Sequence, residues 1–136
     1  MKKFRIPIQI RFRDLDAMGH VNNAVYFSFF EVGRLKFFID VLNVKTPEDF
    51  PFILAKAEAD FLKPVDLSMS DDIWLNVFVG DLGKKSFKFF YELVNGNESV
   101  KFAEGLSVQV FYDYNCKKSI PVPEDFKEKV KEYIKK

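Results

Sequence analysis

Ile6, Ile8, Ile10 and Phe12 alternate with Pro7, Gln9 and Arg11 at the start of the chain. Alternation of period two predicts a strand with one buried face, here running through Phe12. Behind a polar stretch the period changes. Ala24, Val25, Tyr26, Phe27, Phe29, Phe30, Val32, Leu35, Phe37, Phe38 and Ile39 lead to about Val41, and only Glu31, Arg34, Lys36 and Asp40 carry charge among them. This pattern predicts a helix capped by Asn22 or Asn23. A helix apolar nearly all round is a buried one, so the rest of a short chain has to wrap it.

The wrapping material follows Thr46-Pro47-Glu48-Asp49. A long second strand is expected from near Phe52. Ile53, Ala55, Ala57, Ala59 and Phe61 share one face, while Lys56, Glu58 and Asp60 share the other; Pro64 ends it. The small alanines predict close approach of the helix. Ile73, Leu75, Val77 and Val79 make a third strand, and Phe87, Phe89, Tyr91 and Leu93 a fourth. Asn95-Gly96 is a hairpin signal, leading to a fifth strand that alternates Val100, Phe102, Glu104, Leu106, Val108 and Val110. An amphipathic helix starts after Pro123, with Phe126, Val130, Tyr133 and Ile134 on one face. Tightly joined consecutive strands pair antiparallel. The expected fold is therefore α+β: one domain over residues 1–136, a curved antiparallel sheet around one long buried helix, and a short C-terminal helix. One helix leaves sheet faces uncovered, which predicts a homo-oligomer.

Composition narrows the partners. Seventeen phenylalanines suit a large core, a subunit interface or an apolar ligand tunnel. A net charge of +1 supplies no field for nucleic acid. The single cysteine, Cys116, excludes an internal disulfide and sits in a turn-like polar stretch, where it reads as a surface thiol. Met1–Arg5 leads into a strand and not an apolar leader segment, and no apolar run reaches membrane-spanning length. The cytoplasm is the default location.

Chemistry concentrates between the first strand and the helix. Arg13-Asp14-Leu15-Asp16-Ala17-Met18-Gly19-His20-Val21-Asn22-Asn23-Ala24-Val25-Tyr26 holds two carboxylates, the only histidine, a glycine and two asparagines. Such density is costly unless a site uses it. A carboxylate beside a helix N-terminus can attack a carbonyl or activate water, and the open N–H groups of that helix can hold an oxyanion. Asp14, Asp16 and His20 as a metal site is the rival chemistry, with no further cluster to support it. His20 suits an orienting role. Tyr26 reads first as core, and Glu31 and Arg34 either pair with each other or border the site. Gly83-Lys84-Lys85-Ser86 reads as a solvated hairpin turn, or as a cradle for phosphate groups.

The loop Asp14-x-Asp16-x-x-Gly19-His20-Val21-Asn22-Asn23-x-x-Tyr26, followed by Glu31-x-x-Arg34, resembles the 4-hydroxybenzoyl-CoA thioesterase family, and more closely its acyl-CoA thioesterase branch. The resemblance covers Phe4 to about Tyr112 and implies a hotdog fold and hydrolysis of an acyl-CoA thioester. No cofactor and no metal are expected. It implies that Asp16 is the catalytic carboxylate, as nucleophile or general base, and that Asn23 supplies the backbone N–H that polarises the thioester carbonyl. Gly19 and His20 would shape the site. Lys84, Lys85 and Ser86 would contact coenzyme A phosphates, with Tyr26 beside the substrate. Dimers, or dimers of dimers, with sites between subunits are implied as well. The chain departs from the hydroxybenzoyl enzyme at His20-Val21-Asn22-Asn23, which favours an aliphatic acyl group or a broad range. An acyl-carrier-protein thioesterase, a non-catalytic acyl-CoA-binding protein and, more remotely, a hotdog dehydratase are the alternatives.

Overall fold

The computed structural model describes residues 2–46 and 49–135; Met1, Pro47, Glu48 and Lys136 lie outside the described residues. The elements are β1 (Phe4–Pro7), α1 (Asn23–Asp40), β2 (Phe52–Phe61), β3 (Ile73–Leu82), β4 (Ser86–Asn95), β5 (Lys101–Asp113), β6 (Lys118–Ser119) and α2 (Glu124–Val130). Five strands form one antiparallel sheet in the order β1-β3-β4-β5-β2, with β6 paired to β5. The hairpins β3–β4 and β4–β5 follow from the tight connections, as expected. β2 does not join β3: it pairs with β5 at the opposite edge. The segment 62–72 must therefore cross the end of the sheet, and this crossing later forms one wall of the site.

β1 is shorter than its pattern predicts. Ile6, Ile8 and Ile10 are buried, but Phe12 is 84% exposed because a 3-10 turn at Phe12–Asp14 carries it out of the alternation. The hairpin after β4 is also longer than a two-residue Asn-Gly turn. Asn95 N–H donates to the Val100 carbonyl, and the positive φ falls on Glu98, not on Gly96.

α1 lays one face on the sheet. Tyr26, Phe29, Phe30, Gly33, Phe37 and Phe38 are buried. The opposite face is not: Phe27, Val32, Leu35 and Ile39 are each between 37% and 44% exposed. The expected all-round burial therefore does not occur within one chain. Close approach comes from glycines and not from the β2 alanines. A Cβ on Gly33 would meet the Leu75 side chain, and one on Gly105 would meet the Phe30 ring and the Glu58 carbonyl, each at 2.5 Å. Phe30 uses that space to stack on Tyr91, centroids 4.5 Å apart and planes 7° from parallel. In β2 the pairing shifts between Leu54 and Lys56. One extra residue in a strand reverses which side chains face in. Phe52, and not Ile53, consequently packs on Phe38, at 4.3 Å between centroids.

β5 holds the largest departure from its pattern. Ala103, Ser107, Gln109 and Phe111 are buried, while Leu106, Val108 and Val110 lie half-buried on the alternate positions. The polar pair is satisfied by a chain of hydrogen bonds. Arg34 Nη1 donates to Tyr91 Oη at 3.3 Å, Tyr91 Oη meets Ser107 Oγ at 2.5 Å, Ser107 Oγ donates to Gln109 Oε1, and Gln109 Nε2 donates to the Phe87 carbonyl at 3.4 Å. Arg34 thus engages Tyr91 and not Glu31. α2 buries Phe126 and Val130 as expected. No helix among the described residues is long and apolar enough to cross a membrane.

The Gly105 contact is testable. Gly105→Ala should lower stability by about 1–3 kcal/mol through overpacking against Phe30. A urea midpoint equal to that of the unmodified chain, at the same protein concentration, would show that the helix does not sit this close.

Candidate active site

The polar loop folds as a small hairpin of its own. Leu15 and Val21 form an antiparallel bridge, Asp16 N–H donates to the His20 carbonyl at 2.8 Å, and Gly19 N–H donates back to the Asp16 carbonyl at 3.0 Å. Reversing the chain this tightly places Gly19 at φ +78°, where a side chain is strained, although no atom lies within 4 Å of a Cβ there. Two further bonds dock the hairpin. Val21 N–H donates to the Val65 carbonyl at 2.8 Å, and His20 forms a bridge with Asp66, both on the crossing segment.

The two carboxylates take separate roles. Asp14 is buried, and its Oδ2 accepts the Arg11 backbone N–H at 2.8 Å while its Oδ1 accepts Arg11 Nη2 at 2.9 Å. Its carbonyl also accepts Asn22 N–H at 2.9 Å. Asp14 is thus a fastener for the loop and the helix start. Asp16 faces a cavity of about 340 Å³ with Met18, His20, Asn22, Asn23, Tyr26 and residues 61–64. Its Oδ1 accepts the backbone N–H groups of Met18 at 2.9 Å and His20 at 3.3 Å. Its Oδ2 has no partner among the described residues and is available for chemistry. With Asp14 committed to Arg11, no three His, Cys, Asp or Glu converge on a metal-binding arrangement among the described residues.

Asn22 is the helix cap, its Oδ1 accepting Ala24 N–H at 2.9 Å. Asn23 is the first helical residue, and its own N–H finds no acceptor among the described residues. The open end of α1 therefore meets the same cavity as Asp16. Tyr26, one turn further on, is 2% exposed, and its ring packs edge-on against Phe61 (5.0 Å) and Phe29 (6.1 Å). Burial pushes its phenol above the ordinary value; the Val65 backbone pulls it back and the Asp16 charge pushes it further up. The neutral phenol is the form present at neutral pH.

The structure brings together Asp16, Gly19, His20, Asn23 and Tyr26. It does not bring Lys84, Lys85 and Ser86 to them. That turn lies where Ser86 pairs with Val110 and the Lys85 carbonyl accepts Phe111 N–H, beside the C-terminal end of α1. The 18 residues of α1 span roughly 27 Å, which separates this turn from the cavity at the helix N-terminus. The wall from Phe61 to Pro64 goes unnoticed in the sequence, where Pro64 signals only a strand end. Cys116 lies exposed in a turn, and hydrogen bonding to Asp113 pushes its thiol pKa up, away from nucleophile behaviour.

Gly19 gives a clean test of the loop. Gly19→Ala should cost about 1 kcal/mol through backbone conformation alone, and Gly19→Asn less, since Asn tolerates left-handed backbone. Equal urea midpoints for the two variants would count against this geometry.

Comparison with known proteins agrees with this architecture. Residues 10–130 match the family model of the Thioesterase-like superfamily. No curated protein matches the chain in sequence. A thioesterase from Thermus thermophilus, solved with coenzyme A and Zn, is 32% identical over 95% of this chain and 92% of its own, with a TM-score of 0.79. A candidate acyl-CoA thioesterase from Xanthomonas campestris is 31% identical over 83% of this chain and 96% of its own, with a TM-score of 0.73. A predicted thioesterase from Bacillus stearothermophilus, at 21% identity over 99% and 98% of the two chains, shares the fold with a TM-score of 0.88. On the family match, the chain belongs to the Thioesterase-like superfamily and is a thioester hydrolase of hotdog fold.

Proposed function

We propose that this protein hydrolyses acyl-CoA thioesters, with Asp16 as the catalytic carboxylate and the open end of α1 as the oxyanion site. The observation that carries this reading is the Asp16 carboxylate itself. One oxygen is fixed by two backbone amides and the other faces the cavity at the helix N-terminus. The likeness to a thioesterase solved with coenzyme A supports the choice of carrier.

The thioester carbonyl oxygen lies toward Asn23 N–H. Charge builds on that oxygen as the carbonyl carbon becomes tetrahedral, and an oriented donor there is worth about 3–4 kcal/mol. Asp16 Oδ2 then either attacks the carbon, giving a mixed anhydride, or takes a proton from an attacking water. Coenzyme A leaves as a thiolate, a good leaving group that needs no strong acid. Gly19 sets the turn that aims Asp16, and His20 orients it through its backbone N–H. The wall of Tyr26, Phe61 and Leu62 suits an apolar acyl group.

The working unit is a homo-oligomer, a dimer or a dimer of dimers. β2 lies along a sheet edge with Ile53, Leu54 and Phe61 exposed, an edge that favours pairing with another strand. A second copy also brings a Lys84-Lys85-Ser86 turn within reach of the coenzyme A phosphates, which one chain alone does not.

Thiol release across acyl-CoAs from acetyl to palmitoyl, with benzoyl and 4-hydroxybenzoyl, tests the reading. Asp16→Asn should lower kcat by about 10²–10⁴ while its urea midpoint stays near that of the unmodified chain. Retention of most activity by Asp16→Asn would remove Asp16 from the mechanism. No hydrolysis of any acyl-CoA would direct attention to a carrier-protein thioester or a binding role. Lys84→Ala with Lys85→Ala should raise KM about tenfold at constant kcat, because uniform phosphate binding is lost. A fall in kcat alone would exclude that role.

A further inference from the structure

Tyr26 has a hydroxyl at the site that the scheme above leaves unused. Its ring is fixed by edge-on contacts with Phe61 and Phe29, and the residue is buried to 2% exposure on the wall that also carries Asp16. Core packing alone calls for phenylalanine at such a position, because burying a hydroxyl whose hydrogen bonds are incomplete costs free energy. The Val65 backbone, which lowers the phenol, acts on its oxygen and leaves its proton to be given elsewhere. No hydrogen bond joins Tyr26 Oη to Asp16 among the described residues, yet the Asp16 charge acts on the phenol. Both groups line the same cavity of about 340 Å³, which has room for a water between polar partners.

We infer that Tyr26 is a catalytic residue that holds the attacking water together with Asp16: the Tyr26 hydroxyl donates to the water oxygen, and the water donates one hydrogen to Asp16 Oδ2. This inference rests on the thioesterase reading and deepens it, because it assigns Asp16 as general base. Asp16 Oδ1 is already occupied by the Met18 and His20 amides, so Oδ2 is the oxygen presented to the water. Fixed by one donor and one acceptor, the water turns a lone pair toward a carbonyl whose oxygen rests on Asn23 N–H.

The step balances without a further reactant. Asp16 Oδ2 takes a proton from the water, and the water oxygen bonds to the carbonyl carbon. The carbonyl π pair moves to oxygen at the helix end and returns as the C–S bond breaks with its electron pair on sulfur. The proton on Asp16 passes to that sulfur, giving the acid and the thiol with Asp16 again an anion. Tyr26 keeps its proton throughout. A phenol ordinarily titrates near pH ~10 and a thiol near ~8.5, and burial moves this phenol further up, so the thiolate does not deprotonate it.

Tyr26→Phe preserves the ring and removes only the hydroxyl. With the acyl-CoA that the unmodified enzyme turns over fastest, kcat should fall about tenfold or more, with KM within a few-fold and the urea midpoint unchanged or higher. Methanol added to the reaction should capture a larger share of the acyl group as methyl ester in Tyr26→Phe than in the parent, because water loses its privileged position. Unchanged kcat, or an unchanged ester-to-acid ratio, overturns the role of Tyr26 and leaves the thioesterase reading standing. No thiol release from the parent enzyme overturns that reading, and this inference with it.

Discussion

The bond from Val21 N–H to the Val65 carbonyl, with the neighbouring His20–Asp66 bridge, is the join on which the site depends. It ties a polar loop near the start of the chain to a segment that crosses from the β2 edge of the sheet to β3, next to the opposite edge. Without it, the loop would be held only by its own small hairpin and by the Asp14 contacts. Topology makes the join available. β2 pairs with β5, so the chain must cross the sheet end to reach β3, and that path passes the N-terminus of α1. The strand order therefore decides which residues can oppose Asp16 across a cavity.

Two aspartates two residues apart illustrate how local hydrogen bonding sorts chemistry from scaffolding. Asp14 spends both oxygens on Arg11 and closes the 3-10 turn. Asp16 spends one oxygen on backbone amides and keeps the other. The charge of Asp14 is matched by a cation in contact, which makes its burial tolerable. Asp16 has no such cation among the described residues, and the amides of its own turn bear part of the charge instead. A carboxylate held by amides keeps a fixed direction while remaining reactive, which suits a base or a nucleophile better than an ion pair would.

Much of this was readable in the residues. Asn22 as cap, Ile73–Val79 and Phe87–Leu93 as buried alternations, and Phe126 with Val130 on one helix face all follow from local rules. The β3–β4 and β4–β5 pairings follow from their tight connections as well; what failed was the placing of β2 and the local breaks in alternation. The Leu54–Lys56 shift reverses the inward face of β2, and no residue there announces it. Phe12 continues an apolar alternation and is nonetheless exposed, because the Asp14 turn overrides it. The outward apolar face of α1 read as burial, since a sequence does not say whether the cover is the same chain or another. Asp16, Gly19, His20 and Asn23 were legible as a group because a hairpin and a helix start keep them close in sequence. The Phe61–Pro64 wall was not, because only the crossover brings it there.

β5 shows why hydrophobic pattern alone misleads at this kind of core. Its apolar set, Leu106, Val108 and Val110, stays half-buried, while Ser107 and Gln109 are buried. Burying those side chains is tolerable only because each hydrogen bond hands on to the next. Arg34 has donors only, so Tyr91 Oη accepts from it and points its own proton at Ser107, whose proton points at Gln109 Oε1. The amide group then ends the chain on a backbone carbonyl. One direction satisfies every member, set by the donor-only guanidinium at its head and the acceptor-only carbonyl at its tail. Arg34 thus agrees from the edge of the helix with the proton order that the Gln109 amide imposes from the other end. The helix register that places Arg34 beside Tyr91 is the same one that stacks Phe30 on the Tyr91 ring and seats Gly33 on Leu75. Polar order and close packing therefore specify a single position for α1, and with it the position of the helix end that the site uses.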